Sequence, residues 1–315
     1  MMTIREALTA GLQTVVCERR LVVALWLINL LIAWPAASVV SAALGDAIGS
    51  SQVSESLTQG FDMGWFGEFQ HEARGLATTF SPTLEGGGAF LDNLEAWVSG
   101  TLFGRYPVVI GAAAGYMAVW LLLIGGVIDR FAVDRGDRSV ATFIGAGGRT
   151  LIRFFRLALL SAVVYVAIFA AQRAVFSRLG DWTRESTRET PVLIMSLAIY
   201  ATTAAALLLA HLCFAYAKIA TVVEERRSMV LAAIRGLAFV LLHPRQTLGM
   251  AGGVLLAAGV GLVLYTWLAP GAGQASAITV GAAFLFGQLF LLTRLVLRLT
   301  HLAGQTALYR RLSGA

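Results

Sequence analysis

The chain has 315 residues, of which 57% are hydrophobic and 13% charged, with a mean hydropathy of +0.75. Soluble domains carry roughly 25% charged residues, so this deficit, with several long uncharged runs, excludes an ordinary soluble fold and points to a polytopic membrane protein. The net charge of +6 is no nucleic-acid signal, because the basic residues are segregated by loop, and no nucleic-acid partner is expected.

In residues 1–20, Ile4, Leu8, Leu12 and Val15 form an apolar stripe flanked by Arg5, Glu6, Glu18, Arg19 and Arg20, the pattern of a surface helix. The apolar run behind it exceeds the roughly 7–15 residues of a signal-peptide core. Residues 21–44 are therefore expected as an uncleaved first span, with Asn29 and Pro35 inside it. Asn29 is expected to hydrogen-bond a neighbouring helix.

Residues 45–106 form the one long loop. It is acidic, with only Arg74 and Arg105 as cations, and it carries Phe61, Trp65, Phe66, Phe69, Phe80, Phe90, Trp97 and Phe103. So many aromatic residues argue against disorder. Short helices are expected over 53–76 and 89–100, with breaks at Ser81-Pro82 and Gly86-Gly87-Gly88, and part of the loop should rest on the bilayer face.

Five further spans are expected over 107–128, 157–176, 191–217, 247–268 and 277–299, each with the 20 or so residues needed to cross the hydrocarbon core. The basic stretch 129–156 separates the second and third; a polar loop over 177–190 and a small-residue turn over 269–276 complete the connections. Gln172 and Arg173 fall near the outer end of the third span, and Gln288 inside the sixth.

The stretch 218–247 organises the chain. It opens with Glu224, Glu225, Arg226 and Arg227 and closes with His243-Pro244-Arg245. Val230, Ile234, Leu237 and Leu241 recur between them at helical spacing, with Arg227 and Arg235 on a different face. This predicts a helix lying in the membrane surface, then a proline-marked turn into the fifth span. Counting Lys and Arg by side places 18 of the 24 on the face that holds both termini, which predicts cytoplasmic N- and C-termini and, with the resemblance described below, a bacterial inner-membrane location. Cys17 and Cys213 both map near that face, so no structural disulfide is expected, and neither belongs to a metal-binding spacing.

Self-similarity supports a repeated plan within a single membrane domain, 1–315. Arg138-Ser139 and Arg227-Ser228 lie 89 positions apart, and at the same offset Gly147 meets Gly236 and Arg156 meets Arg245. At an offset of 225, Gly11-Leu12 meets Gly236-Leu237, Val15 meets Val240 and Arg20 meets Arg245. Three units of surface helix, span, outer turn and span are expected, over 1–128, 129–217 and 218–315. Stripes of small residues (Gly249, Gly253, Ala257 and Gly261; Gly111 and Gly115; Ala277 and Gly281) predict close helix contacts and a compact bundle.

Chemical motifs are sparse. Glu68 and His71 have the spacing of half a carboxylate-bridged metal site, but there is no second copy, and His71-Glu72 lacks the second histidine of a zinc-protease helix. Gly145-Ala-Gly147-Gly148-Arg149-Thr150 lacks the lysine of a phosphate loop and is expected as a flexible break in the second surface helix. No Gly-x-Ser-x-Gly elbow occurs. His211, Cys213 and Tyr216 are expected as interfacial anchors at the inner end of the fourth span. No charge falls mid-membrane, which argues against an ion-coupled pump. Arg226, Arg227, Arg235, Arg245, Arg138, Arg156, Arg294 and Arg298 are the candidate lipid-headgroup residues. Asn29, Gln172, His211 and Gln288 are the candidate intramembrane polar residues. No catalytic residue, metal or cofactor is expected.

The segment FAYAKIATVVEERRSMVLAAIRGLAFVLLHPRQTLG resembles the repeated signature of the glycerophosphodiester phosphodiesterase membrane-domain group, in which an acidic residue after a span precedes a surface helix and re-entry. FDMGWFGEF, GLATTFSP and FLDNLEAW are similar to segments of an uncharacterised group of bacterial six-span membrane proteins. The resemblance implies an all-α membrane domain with six spans and cytoplasmic interfacial helices, without the phosphodiesterase catalytic domain. The expected function is a non-enzymatic scaffold or accessory module binding anionic lipid or a partner protein. The alternative is a transporter or permease component for a lipid or small apolar solute, favoured by a polar cavity near Asn29, Gln172 or Gln288. An enzyme using the outer loop would need carboxylates converging on His71.

Overall fold

The computed structural model describes residues 3–49, 62–80, 94–101 apart from 97, 109–132, 139–183, 189–269 and 276–314. In chain order its elements are α1 (Ile4–Cys17), α2 (Arg19–Gly49), α3 (Met63–Glu72), a 3-10 turn (Gly75–Thr79), α4 (Val109–Ala132), α5 (Val140–Thr183), α6 (Glu189–Val223), α7 (Met229–Leu242), α8 (Pro244–Leu268) and α9 (Ala277–Ser313). No strand occurs among the described residues. Helices α2, α4, α5, α6, α8 and α9 are long and apolar enough to cross a bilayer. The fold is that of an all-α polytopic membrane protein with six spanning helices.

Local chemistry sets the helix ends. Thr3 and Glu6 form a capping box at α1, with Thr3 N–H donating to Glu6 Oε2 at 3.0 Å and Glu6 N–H to Thr3 Oγ1 at 3.2 Å. Ser228 caps α7 by accepting from Leu231 N–H at 3.5 Å. Glu18 ends α1 and His243 ends α7, each by a single non-helical residue before the next span begins. Pro244 opens α8 at its first turn, where its missing N–H has no intrahelical role.

The second surface helix differs from expectation. No break occurs at Gly145–Thr150; α5 runs unbroken for 44 residues. Thr150 Oγ1 donates back to Ala146 O at 3.0 Å, and the glycines stay helical because one of them serves a close helix crossing. At about 1.5 Å per residue, α5, α6 (35 residues) and α9 (37 residues) exceed the ~30 Å hydrocarbon core and run on past it.

One rule governs the contacts at this overhanging end. The first part of α5 packs on the end of α4, where a Cβ at Gly147 would overlap the carbonyl oxygen of Leu122. Helix α7 packs on the end of α6, where a Cβ at Gly236 would overlap Cys213 O. Helix α1 packs on the end of α9, where a Cβ at Gly11 would overlap Thr300 O. Each surface segment thus grips the end of a span through one glycine, and α1 on α9 joins the chain's two extremities at the same end of the molecule.

Burial is concentrated there. Tyr216, Ile219 and Ala220 of α6, Phe239 and Val240 of α7, Met250 of α8, and Leu308 and Tyr309 of α9 form the main cluster with Ala7 of α1. Val15, Leu25, Val127 and Leu299 form a second. Farther along, the spans expose most of their apolar surface. Lipid supplies no hydrophobic drive between helices, whereas apolar surface leaving the bilayer must be covered.

Two expectations are corrected here. Tyr216 is no interfacial anchor: it is fully buried, its ring 4.7 Å from that of Phe239, because α7 covers it. The small-residue stripes do not mark tight span-to-span contacts. Gly249 and Gly253 receive Ile4 and Leu8 of α1, while Gly111, Gly115, Gly261 and Gly281 meet no neighbouring group within 4 Å.

At the opposite end, Trp65 and Phe69 of α3 and Ala77 of the 3-10 turn pack on Ala43, Leu44, Ala47 and Ile48 of α2. Part of the first expected loop helix is thus α3. Residues 94–96 and 98–99 are helical, within the second expected helix. The breaks expected at Ser81-Pro82 and Gly86–Gly88 lie outside the described residues.

Candidate functional site

Helix α7 presents two unlike faces. Met229, Ala232, Gly236, Phe239 and Val240 are buried against the protein. The stripe read from the sequence points the other way: Val230 is 57% exposed, Ile234 57%, Leu237 37% and Leu241 60%. A helix of 14 residues is too short to span a bilayer, so its outward apolar face suits the bilayer interface. Arg227, Arg235 and Arg245 are exposed around it, as are Arg20 at the start of α2 and Arg156 in α5.

Two of the candidate headgroup arginines are already engaged. Arg226 Nε donates to Glu224 Oε2, and Arg235 Nε lies 3.5 Å from Glu224 Oε1. Tyr309 Oη, from α9, donates to the same Oε1. Burial opposes ionisation of Glu224, but Tyr309, Arg226 and Arg235 outweigh it and hold the carboxyl below its usual range. A second clamp joins Glu18, between α1 and α2, to Arg130 of α4 at 3.1 Å. Arg138 lies outside the described residues.

The intramembrane polar candidates do not converge. Tyr116 Oη donates to Asn29 Oδ1 at 3.0 Å, and Asn29 Nδ2 donates to Leu25 O at 2.7 Å. Trp26 Nε1 donates to Gln288 Oε1 at 3.1 Å. These pairs stitch α2 to α4 and to α9. Gln172 serves the far end, where its Nε2 donates to Val98 O at 3.0 Å and its buried Oε1 lacks a partner. A largely apolar groove of about 590 Å³ runs beside it between α5 and α6, lined by Gln172, Met195, Thr202 and Thr203 among others.

His211 belongs to a different group. It lies close enough to Lys218 and Arg298 to interact electrostatically, and His301 is close to it in turn. Lys218 and Arg298 also interact with each other. Arg298 stacks on the Trp120 ring with Cζ 4.0 Å from the centroid, whereas Arg294 lies 5.9 Å over Phe290 of its own helix. The sequence reading took Lys218 as a loop charge and ended the sixth span at Leu299. Arg294 and Arg298 share one face at helical spacing, and because the helix continues past Leu299, His301 and Gln305 extend that same face.

His71 closes α3, and no group of metal-ligating side chains occurs among the described residues. Cys17 and Cys213 are both free; Cys213 Sγ donates to Ala233 O at 3.3 Å, tying α6 to α7. Fold and site together define a six-span membrane protein with short helical segments packed over one end. Comparison with protein-family models, curated proteins and solved structures finds no match for the chain.

Proposed function

We propose that this chain is a non-enzymatic module of the bacterial inner membrane, both termini cytoplasmic, that binds anionic lipid at the inner leaflet and serves as a scaffold or accessory subunit. The observation that carries this is the outward apolar stripe of α7 set among exposed arginines. Val230, Ile234 and Leu241 are each more than half exposed, which water would oppose and a bilayer interface favours. Arg227 and Arg245 flank that stripe, and Arg20 and Arg156 stand at matching points of the other two surface segments. Each cation near the surface contributes about 1 kcal/mol with anionic lipid.

Spin labels at Ile234→Cys and Leu241→Cys, in a chain lacking the native cysteines, test the placement. Oxygen should relax them more than a water-soluble nickel chelate; the opposite order would remove α7 from the bilayer. Replacing Arg227, Arg245 and Arg156 with Gln should lower phosphatidylglycerol recovery about fivefold per residue, and unchanged recovery would defeat the lipid role.

The α5–α6 groove favours a second reading, a transporter or permease component for a lipid or small apolar solute. Its lining of apolar side chains with Gln172 and Thr203 suits an acyl chain better than a polar solute. Movement of a fluorescent lipid between leaflets in vesicles holding the purified protein separates the two: flip above the protein-free rate supports transport.

A further inference from the structure

Helices α4, α6 and α9 meet at the overhanging end, and the three glycine crossings put them in register. Leu122, Cys213 and Thr300 are the carbonyls met by Gly147, Gly236 and Gly11. Counting two residues back from each gives Trp120, His211 and Arg298. Counting two and six forward gives Ile124, Ala215 and Leu302, then Ile128, Ile219 and Thr306. These six are apolar or small; all but Leu302 are buried, and Ile128, Ile219 and Thr306 fully so. The interior between the three helices is therefore an apolar plug, with Trp120, His211 and Arg298 as the layer above it. Lys218 and Gln305 occupy matching places five residues beyond Cys213 and Thr300.

This layer carries positive charge with no answering carboxylate. Among the described residues neither Lys218 nor Arg298 has an acidic partner or a hydrogen bond, although each interacts with the other and with His211. The Arg298 Cζ lies 4.0 Å over the Trp120 ring, and its N–H groups, with no hydrogen-bond partner among the described residues, form a fork that can grip two oxygens of one anion. Buried polar atoms on the same face of the helix also lack partners: His301 Nε2 and Gln305 Nε2, with Gln305 only 3% exposed. Clustered cations and orphaned polar atoms are costly in a native protein unless something answers them. His211 and Arg298 are exposed and Lys218 is half-buried, so the layer is accessible from outside the bundle rather than sealed within it.

Depth narrows what fills it. Arg298 stands 21 residues beyond Ala277 and His211 22 beyond Glu189, about 32 Å along each helix at 1.5 Å per residue. That matches the thickness of the hydrocarbon core, so Arg298 and His211 lie level with the phosphates of one leaflet, while Lys218, seven residues farther along α6, leans its side chain back toward them. We propose that the recess between α4, α6 and α9 holds a phosphate group, with Arg298 gripping it edge-on and Lys218 and His211 completing its charge, His301 and Gln305 lying behind. The inference deepens the anionic-lipid proposal and rests on it, but gives that lipid a site distinct from the surface arginines. The same phosphate chemistry is offered by a lipid headgroup and by free phosphate.

The test uses the full chain reconstituted in phosphatidylglycerol–phosphatidylcholine vesicles, re-extracted in detergent, with retained lipid read by native mass spectrometry. A parallel arm adds inorganic phosphate to delipidated protein and follows Tm. Wild type should keep phosphatidylglycerol, and Lys218→Met and Arg298→Gln should each lower retention at least about fivefold. Arg298→Lys, which keeps the positive charge but loses the planar fork, should fall between. The surface variant lacking Arg227, Arg245 and Arg156 should keep this lipid even where its bulk lipid recovery drops, so the two proposals fail separately. A Tm rise with inorganic phosphate that Arg298→Gln abolishes, without retained lipid, would assign the site to free phosphate. If neither retention nor phosphate response distinguishes wild type from Lys218→Met and Arg298→Gln, or if both variants raise Tm in the presence of lipid and phosphate, the charges merely repel one another and the site is refuted.

Discussion

Tyr309, near the end of the last helix, donates its hydroxyl proton to the carboxylate of Glu224, which follows the fourth span. That one bond ties α9 to the turn ahead of α7, and Arg226 and Arg235 reach the same carboxylate. A hydrogen bond to a charged group contributes about 1.5–3 kcal/mol. Tyr309→Phe keeps the ring packing on Phe239 and should lose an amount of that order, read as a lower Tm in detergent. Tyr216 provides the internal contrast. Its hydroxyl is buried without a partner, so Tyr216→Phe should be neutral or stabilising, although both tyrosines share one cluster.

The same carboxylate sets an acid limit. Its interactions hold the Glu224 carboxyl lower in the folded protein than its usual value of 4.5. A lowered folded value means that the unfolded chain takes up the proton first, so Glu224 stabilises the fold above about pH 4.5. That contribution is lost as pH falls through the folded value. Glu224→Gln should reduce Tm at pH 7 and flatten its acid dependence below 4.5. An unchanged slope would show that other carboxylates govern acid unfolding.

The glycines divide into two classes with opposite forecasts. At Gly147, Gly236 and Gly11 a Cβ would overlap the backbone carbonyl of the facing helix, and backbone cannot rotate away as a side chain can. Alanine at any of these should cost about 1–3 kcal/mol through overpacking. At Gly111 and Gly261 a Cβ meets nothing within 4 Å, and alanine should gain up to about 1 kcal/mol of helix propensity. Thermal unfolding of the alanine variants side by side checks both signs.

This division also shows what the sequence carried. The offsets that pair Gly147 with Gly236 and Gly11 with Gly236 pick out the three crossings, since close approach demands a residue without a side chain and little else fits. The six spans follow from hydropathy alone, because each must cover about 30 Å of hydrocarbon. Small-residue stripes misled at Gly111 and Gly281, since small residues permit close approach without enforcing it. The continuity of α5 through Gly145–Gly148 was hidden for a related reason: glycine weakens a helix, yet packing on α4 overrides that preference. Lys218 looked like a loop charge because the fourth span was ended at residue 217, whereas the helix runs to Val223. Which face of α9 meets which neighbour depends on helix rotation, which hydropathy does not encode.

Asn29 and Tyr116 make the one side-chain hydrogen bond between α2 and α4 among the described residues, at 3.0 Å. Interhelical hydrogen bonds inside a bilayer contribute about 0.6 kcal/mol on average and up to about 1.7, because the separated helices find other partners. Tyr116→Phe and Asn29→Leu should therefore each have a modest effect, and the double variant should lose less than their sum. Asn29 also donates to Leu25 O on its own helix, so Asn29→Leu removes two bonds and should cost more than Tyr116→Phe. The coupling energy from unfolding in detergent should fall near 0.6 kcal/mol. A coupling of zero would mean that Tyr116 holds its place by stacking on Trp120, 6.4 Å away between ring centres, and that the polar seam joins the helices without strengthening them.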